Sequence, residues 1–167
     1  MMADKSFLHW PFFDSAHRDW AAHVEEVAGT LNADHNDTDA ACRQLVAQLG
    51  KAGVLTPTSS DEGSFDVRKL CLAREILARH DGLADFAFAM QGLGTGAITL
   101  FGTPDQKATW LSKTRAGTAV SAFALTEPGS GSDVAANTMT ATRDGDTYVL
   151  NGEKTWISNG GIADVYT

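Results

Sequence analysis

The stretch AFALTEPGSGSD, residues 122–133, sets Thr126, Glu127, Ser130, Ser132 and Asp133 behind an apolar run, with Gly129 and Gly131 between them. Small hydroxyls, carboxylates and glycines grouped in this way fit a surface turn, a phosphate cradle, a nucleophile elbow or the lip of a cofactor pocket. The elbow needs G-x-S-x-G, and neither Ser130 nor Ser132 meets that spacing. Glu127 and Asp133 make a weak acid–base pair, because no histidine or other supporting motif lies near them in the chain. A strand ending at Leu125 would instead deliver Thr126 to an edge, where Gly129 and Gly131 let the backbone come close to a ligand. Main-chain N–H groups and hydroxyls would then face it. Such a rim suits a large planar heteroaromatic cofactor with a phosphate tail, and Trp156 is a candidate flat partner for its face. The residue types fit a plain turn and a core tryptophan as well, and periodicity does not choose between these readings.

Other motifs carry less. Gly92-Leu93-Gly94-Thr95-Gly96-Ala97 matches G-x-G-x-x-A loosely, but Gly102 and Pro104 interrupt the helix that such a loop must open. It reads as helix packing through small residues. GEKT at 152–155 puts Glu153 between the glycine and the lysine, in a segment that reads as a strand and not as a phosphate loop. His9, His17, His23, His35 and His80 form no i, i+3 or i, i+4 pair and adjoin no cysteine motif, so no metal site is expected. Cys42 and Cys71 stand alone and read as free thiols.

The elements that would position these residues follow from periodicity and capping. Trp20, Val24, Val27 and Leu31 recur on one helical face, with Asp14 or Ser15 as the cap. A second helix runs from near Asp37 through Ala41, Leu45, Val46 and Leu49 to a stop at Gly50. The connection KAGVLTPTSSDEGS, long enough to line a site, leads to a third helix capped by Asp66 and carrying Val67, Leu70, Ala73 and Leu77. Residues 83–101 are apolar on nearly every side and predict a buried helix. Thr103-Pro104-Asp105-Gln106 opens another, running to about Arg115. After Gly117 the pattern turns to short β runs: AVSAFAL, a hairpin of TMTATR and TYVLN about Asp144-Gly145, then EKTWIS, a turn at Asn159-Gly160-Gly161, and ADVYT. Helices first and strands afterwards predict an α+β fold with segregated regions.

Composition narrows the function classes. Hydrophobic residues make up 43% and charged residues 20% of the 167, as in a folded globular protein. The formal charge of −8, from 21 acidic and 13 basic residues, gives nucleic-acid binding no electrostatic source. No basic run suits an anionic membrane surface, and no apolar run is long enough to span a bilayer. The start, MMADKSFLHWPFFDSAHRDW, lacks a leader pattern, so a cytoplasmic location is expected.

FALTEPGSGSDVA followed by YVLNGEKTWISNGG closely resembles the two signature stretches of the flavin-dependent acyl-CoA dehydrogenases, and LFGTPDQKATWL resembles the helix before the first of them. The likeness covers residues 80–167 well and the earlier helices in general pattern. It implies an N-terminal helical domain, residues 1–118, leading into the beginning of an antiparallel β-barrel-like middle domain, residues 119–167, with the family's C-terminal helical bundle absent. It implies FAD as cofactor, with Phe123, Leu125 and Thr126 along the flavin and Thr126 hydrogen-bonding to it. Gly131 and Ser132 would meet the cofactor's tail, and Ser132 would also approach the acyl-CoA. Trp156, Ile157 and Ser158 would form the second contact, Trp156 packing on the ring system. Phe123 stands where some members have tyrosine, and Ser158 where threonine is common. The resemblance implies α,β-dehydrogenation of an acyl-CoA thioester, an electron-transferring flavoprotein as acceptor, a homo-oligomer, and a glutamate base beyond Thr167. No catalytic residue is therefore assigned on the chain, which alone is expected to be inactive. An oxygen-using acyl-CoA oxidase and a non-catalytic module of the same fold remain alternatives.

Overall fold

Each α-helix begins on a side-chain acceptor. In a computed structural model, which describes residues 4–167, Asp14 caps α1 (Ser15–Ala28), Asp37 caps α2 (Thr38–Lys51) and Asp66 caps α3 (Val67–His80). Asp81 caps α4 (Gly82–Phe101), and Thr103 with Gln106 builds a reciprocal capping box on α5 (Pro104–Arg115). These acceptors satisfy N–H groups that a helix start leaves without partners. Met1, Met2 and Ala3, the first residues of the segment read as lacking a leader pattern, lie outside the described residues. No helix of the described residues is long and apolar enough to cross a membrane.

α4 is the hub, packing on α2, α3, α5 and the first strand, while α1 lies on α3. Its Ala84, Ala87 and Phe88 meet Leu45 and Leu49 of α2 and Ile76 and Leu77 of α3 in one core. The caps also join helices: buried His17 sets Nδ1 2.7 Å from Asp14 Oδ1 and Nε2 3.1 Å from Asp66 Oδ2, tying the start of α1 to the start of α3. Two helical expectations are corrected. Leu31 lies beyond the end of α1, and Gly50 does not stop α2 but sits inside it. A Cβ on Gly50 would collide with the Ala116 and Gly117 backbone, so glycine there serves a close approach between α2 and the end of α5.

The β region holds β1 (Ser121–Ala122), β2 (Thr140–Asp144), β3 (Thr147–Asn151) and β4 (Val165–Tyr166). β2 and β3 form the expected antiparallel hairpin, while β1 pairs with β4 in parallel. The hairpin loop is shifted by one residue from the expected Asp144-Gly145. Asp144 pairs with Thr147, leaving Gly145-Asp146 as the loop with Gly145 at a φ of +59°.

The expected strand over 119–125 shrinks to two residues, because β4 offers a ladder only there, with one further bond from Ala124 N–H to the Thr167 carbonyl. EKTWIS is not a strand. One main-chain bond, from Thr155 N–H to the Thr126 carbonyl at 2.9 Å, joins it to the first stretch. Left-handed φ values of +56° at Trp156 and +62° at Asn159 then turn the chain away.

Candidate functional site

The turn after Leu125 is built from the inside by polar residues. Glu127 and Ser130 exchange both main-chain bonds at 3.0 Å, closing a tight loop. The Glu127 carboxylate, shielded from solvent, accepts from Thr138 N–H at 2.7 Å, the Thr138 hydroxyl at 2.9 Å, Met139 N–H at 3.0 Å and Lys154 Nζ at 2.9 Å. The Thr138 main chain first, then the Lys154 ammonium, hold this carboxyl down to about 2. A carboxylate so bound is a structural anion and a poor proton acceptor. Buried Ser130 places its hydroxyl 2.6 Å from the Asp133 carbonyl and 2.7 Å from Asn137 Oδ1, and neither serine of the turn is set up as a nucleophile.

Lys154 also donates to the Leu125 carbonyl at 2.9 Å, so the second stretch reaches under the first. Leu125 and Thr126 thereby lie beside Lys154 and Thr155, joined by the Lys154 ammonium and the Thr155 N–H. Thr126, Ile157 and Ser158 are half-buried, and among the described residues no hydrogen bond engages the Thr126 hydroxyl or the Phe123 main chain. Trp156 is 90% exposed, contrary to a core reading. Gly131 and Ser132 stand exposed immediately after the closed loop, with no hydrogen bond to residues 154–158. A Cβ on Gly129 or Gly131 would meet nothing, so no neighbour within the chain requires glycine at either place.

Phe123 lines an apolar groove of about 470 Å³ whose further walls include Phe65, Leu70, Phe88, Leu93 and Ala97. Arg74 borders the groove, but its guanidinium donates two bonds to Asp85, at 2.8 and 2.9 Å, so the charge is answered within the chain. The connection before α3 lines this groove through Thr58 and Phe65, as its length suggested. Among the described residues no cluster of three or more His, Cys, Asp or Glu could hold a metal ion. Cys42 and Cys71 are both free.

One residue of this region escaped the reading of the sequence. Gln91 is fully buried in α4 and spends its amide on the backbone leading into β1. Its signal was there: a long polar side chain inside a helix apolar on every side must find partners.

The donor set suits a planar heteroaromatic group. It combines a free hydroxyl and free main-chain groups along one rim, an exposed indole nearby and room beside two glycines. A family model described as acyl-CoA dehydrogenase, N-terminal domain, matches residues 12–118, and one described as acyl-CoA dehydrogenase, middle domain, matches residues 122–167. The very long-chain specific acyl-CoA dehydrogenase of Rattus norvegicus mitochondria is 42% identical over 129 residues, 74% of this chain and 19% of its own length. A probable acyl-CoA dehydrogenase of Bacillus subtilis is 33% identical over 151 residues, 90% of this chain and 38% of its own. A glutaryl-CoA dehydrogenase of Mycobacterium smegmatis, solved in complex with FADH2, superposes with a TM-score of 0.79 at 32% identity, covering 93% of this chain and 42% of that one. The chain thus spans well under half the length of these relatives, and across both of its matched regions it belongs to the acyl-CoA dehydrogenase family.

Proposed function

We propose that residues 1–118 and 119–167 are two domains of an FAD-dependent acyl-CoA dehydrogenase. In this reading the chain supplies one wall of the flavin pocket and one wall of the acyl groove. The observation that carries it is the double position of Phe123, which belongs to the free rim and also walls the apolar groove. A residue so placed brings a cofactor on the rim within reach of a chain in the groove.

The flavin, when bound, supplies acceptance of a hydride from the substrate's β-carbon. The chain's own residues bind and orient. Thr126 offers its hydroxyl, Phe123 and Leu125 their main-chain edge, and Ser158 and Ile157 the facing stretch, while Trp156 covers the ring system. Gly131 and Ser132 take the cofactor's tail, with Ser132 also near the acyl-CoA. The groove takes an uncharged hydrocarbon segment, because its walls are apolar and Arg74 is already paired. Glu127 is committed to Lys154 and the Thr138–Met139 backbone, so the base that removes the α-proton comes from elsewhere in the protein. In this reading the chain alone does not turn over. Electrons leave to an electron-transferring flavoprotein, and the complete protein works as a homo-oligomer in the cytoplasm.

The test is direct. The complete protein should purify yellow and bleach when an acyl-CoA is added without oxygen. A colourless protein, or a flavin that no acyl-CoA reduces, overturns the reading.

A further inference from the structure

A residue's N–H and C=O point to one edge of a strand, and its neighbours' groups to the other. In β1 and its flank, Val120 and Ala122 face β4: their carbonyls accept from Asp164 N–H at 2.8 Å and from Thr167 N–H at 3.0 Å. Ser121 faces the opposite edge, where no strand of the described residues lies. Both of its main-chain groups end on side-chain amides instead, the N–H on Gln91 Oε1 at 2.8 Å and the carbonyl on Asn159 Nδ2 at 3.2 Å.

Each amide is fixed by its remaining partners. Gln91 Nε2 donates to the Thr114 and Ala119 carbonyls at 3.1 and 2.9 Å, and the Ser121 hydroxyl has its single proton within 3.1 Å reach of both the Gln91 amide oxygen and the Met90 carbonyl. Both donors and one acceptor site of this buried group are filled, and the two carbonyls decide which end is nitrogen. Asn159 is held at a φ of +62°, and its oxygen accepts from the Cys42 thiol of α2 at 3.4 Å. Burial pushes the Cys42 thiol up, so it remains a donor at neutral pH. A Cβ on Gly94 would lie 2.6 Å from Ser121 Cβ, so the strand rests on the α4 backbone with no slack beneath it.

We infer that Gln91 and Asn159 are positioning residues for the flavin contacts, their two amides standing in for a neighbouring strand and setting where Phe123–Thr126 lies against Trp156–Ser158. The inference rests on the flavin reading above. Asn159 belongs by its backbone to the second stretch and by its side chain to the first. It therefore fixes one stretch against the other directly, while Gln91 fixes the first against α4. The next residue to face the amide-bound edge is Phe123, whose main-chain groups are free among the described residues.

The experiment uses the complete protein and the Asn159→Gly, Gln91→Glu and Gln91→Leu variants. Glycine accepts the left-handed φ without strain, so Asn159→Gly removes the amide and keeps the turn. Glutamate keeps the size of Gln91 but can return at most one of its two donations. Flavin titration well below the melting temperature should show affinity weakened roughly three- to tenfold in the folded variants, with a shifted visible band. Without flavin, hydrogen exchange at the Ser121 amide should quicken about tenfold in Gln91→Leu, which removes the acceptor of that N–H. Folded variants with wild-type flavin affinity and spectrum overturn the inference. A wild-type protein that takes no flavin overturns the reading beneath it, and unchanged exchange at Ser121 removes the amide edge whatever the cofactor.

Discussion

Lys154 and Glu127, 27 residues apart, meet in an ion pair of 2.9 Å whose carboxylate is almost closed to water. One residue belongs to each signature stretch, so this pair joins the Lys154 to Leu125 and Thr155 to Thr126 bonds in holding the rim together. Removing either partner leaves the other with its remaining hydrogen bonds but without a countercharge.

Acid should therefore loosen the rim. The Glu127 carboxyl is lowered from 4.5 to about 2 in the fold, so as pH falls the unfolded chain takes up the proton first. Its contribution is complete above about 4.5 and withdrawn toward 2. Glu25, held by Arg79, His80 and Lys5, is lowered to about 2 as well and adds to the same window. Melting temperature followed from neutral pH downward should drop through that range, and Glu127→Gln should lower the plateau and flatten part of the fall. An unchanged profile in Glu127→Gln would remove the carboxylate from the rim's support. The same variant, loaded with flavin in the complete protein, should still be reduced by acyl-CoA.

Trp156 should separate stability from binding. The indole is 90% exposed and its φ is +56°, a region that disfavours residues with a side chain. Trp156→Gly should leave the chain's denaturation free energy unchanged or raise it by about 1 kcal/mol. In the complete protein it should weaken flavin binding by about 1–3 kcal/mol through the lost aromatic face. Equal flavin affinity in a folded variant would count against the contact.

Thr126→Val offers a second separation, because the hydroxyl has no partner among the described residues. Stability should stay within about 0.5 kcal/mol, while the flavin spectrum and the rate of reduction by acyl-CoA both change. A loss of stability with an unaltered spectrum would make Thr126 a packing residue.

Gly94 and Gly96 should respond in opposite senses to one added methyl. At Gly94 the Cβ would approach Ala122 N at 2.8 Å as well as the Ser121 side chain, and Gly94→Ala should destabilise by about 1–3 kcal/mol. At Gly96 nothing lies within 4 Å, and Gly96→Ala should stabilise α4 by up to about 1 kcal/mol. Denaturant titration of both reads the sign directly.

The helical part was legible because its signals are local. Asp14, Asp37, Asp66 and Thr103 stand immediately before apolar periodicity, and each caps the helix it announces. Gly50 misled because glycine marks both a helix end and a close approach, and only the position of Ala116 decides between them. EKTWIS misled for a different reason. Its alternation suits a strand, yet Lys154 is drawn toward Leu125 and Glu127, partners far away in sequence. The groove was hidden for the same reason, since its walls come from the connection before α3, from α3, α4 and Phe123.

The parallel pairing of β1 with β4 has a kinetic consequence. Val120 and Asp164 are joined across 44 residues by a ladder of only two residues a side, whereas helix pairs about as far apart in sequence, α1 on α3 and α2 on α4, bury broad apolar faces in one core. Closing so long a loop carries an entropic penalty before its few bonds can repay it. The helices should therefore assemble first, with this ladder still open at the rate-limiting barrier. A substitution such as Val165→Ala would then accelerate unfolding and leave refolding nearly untouched.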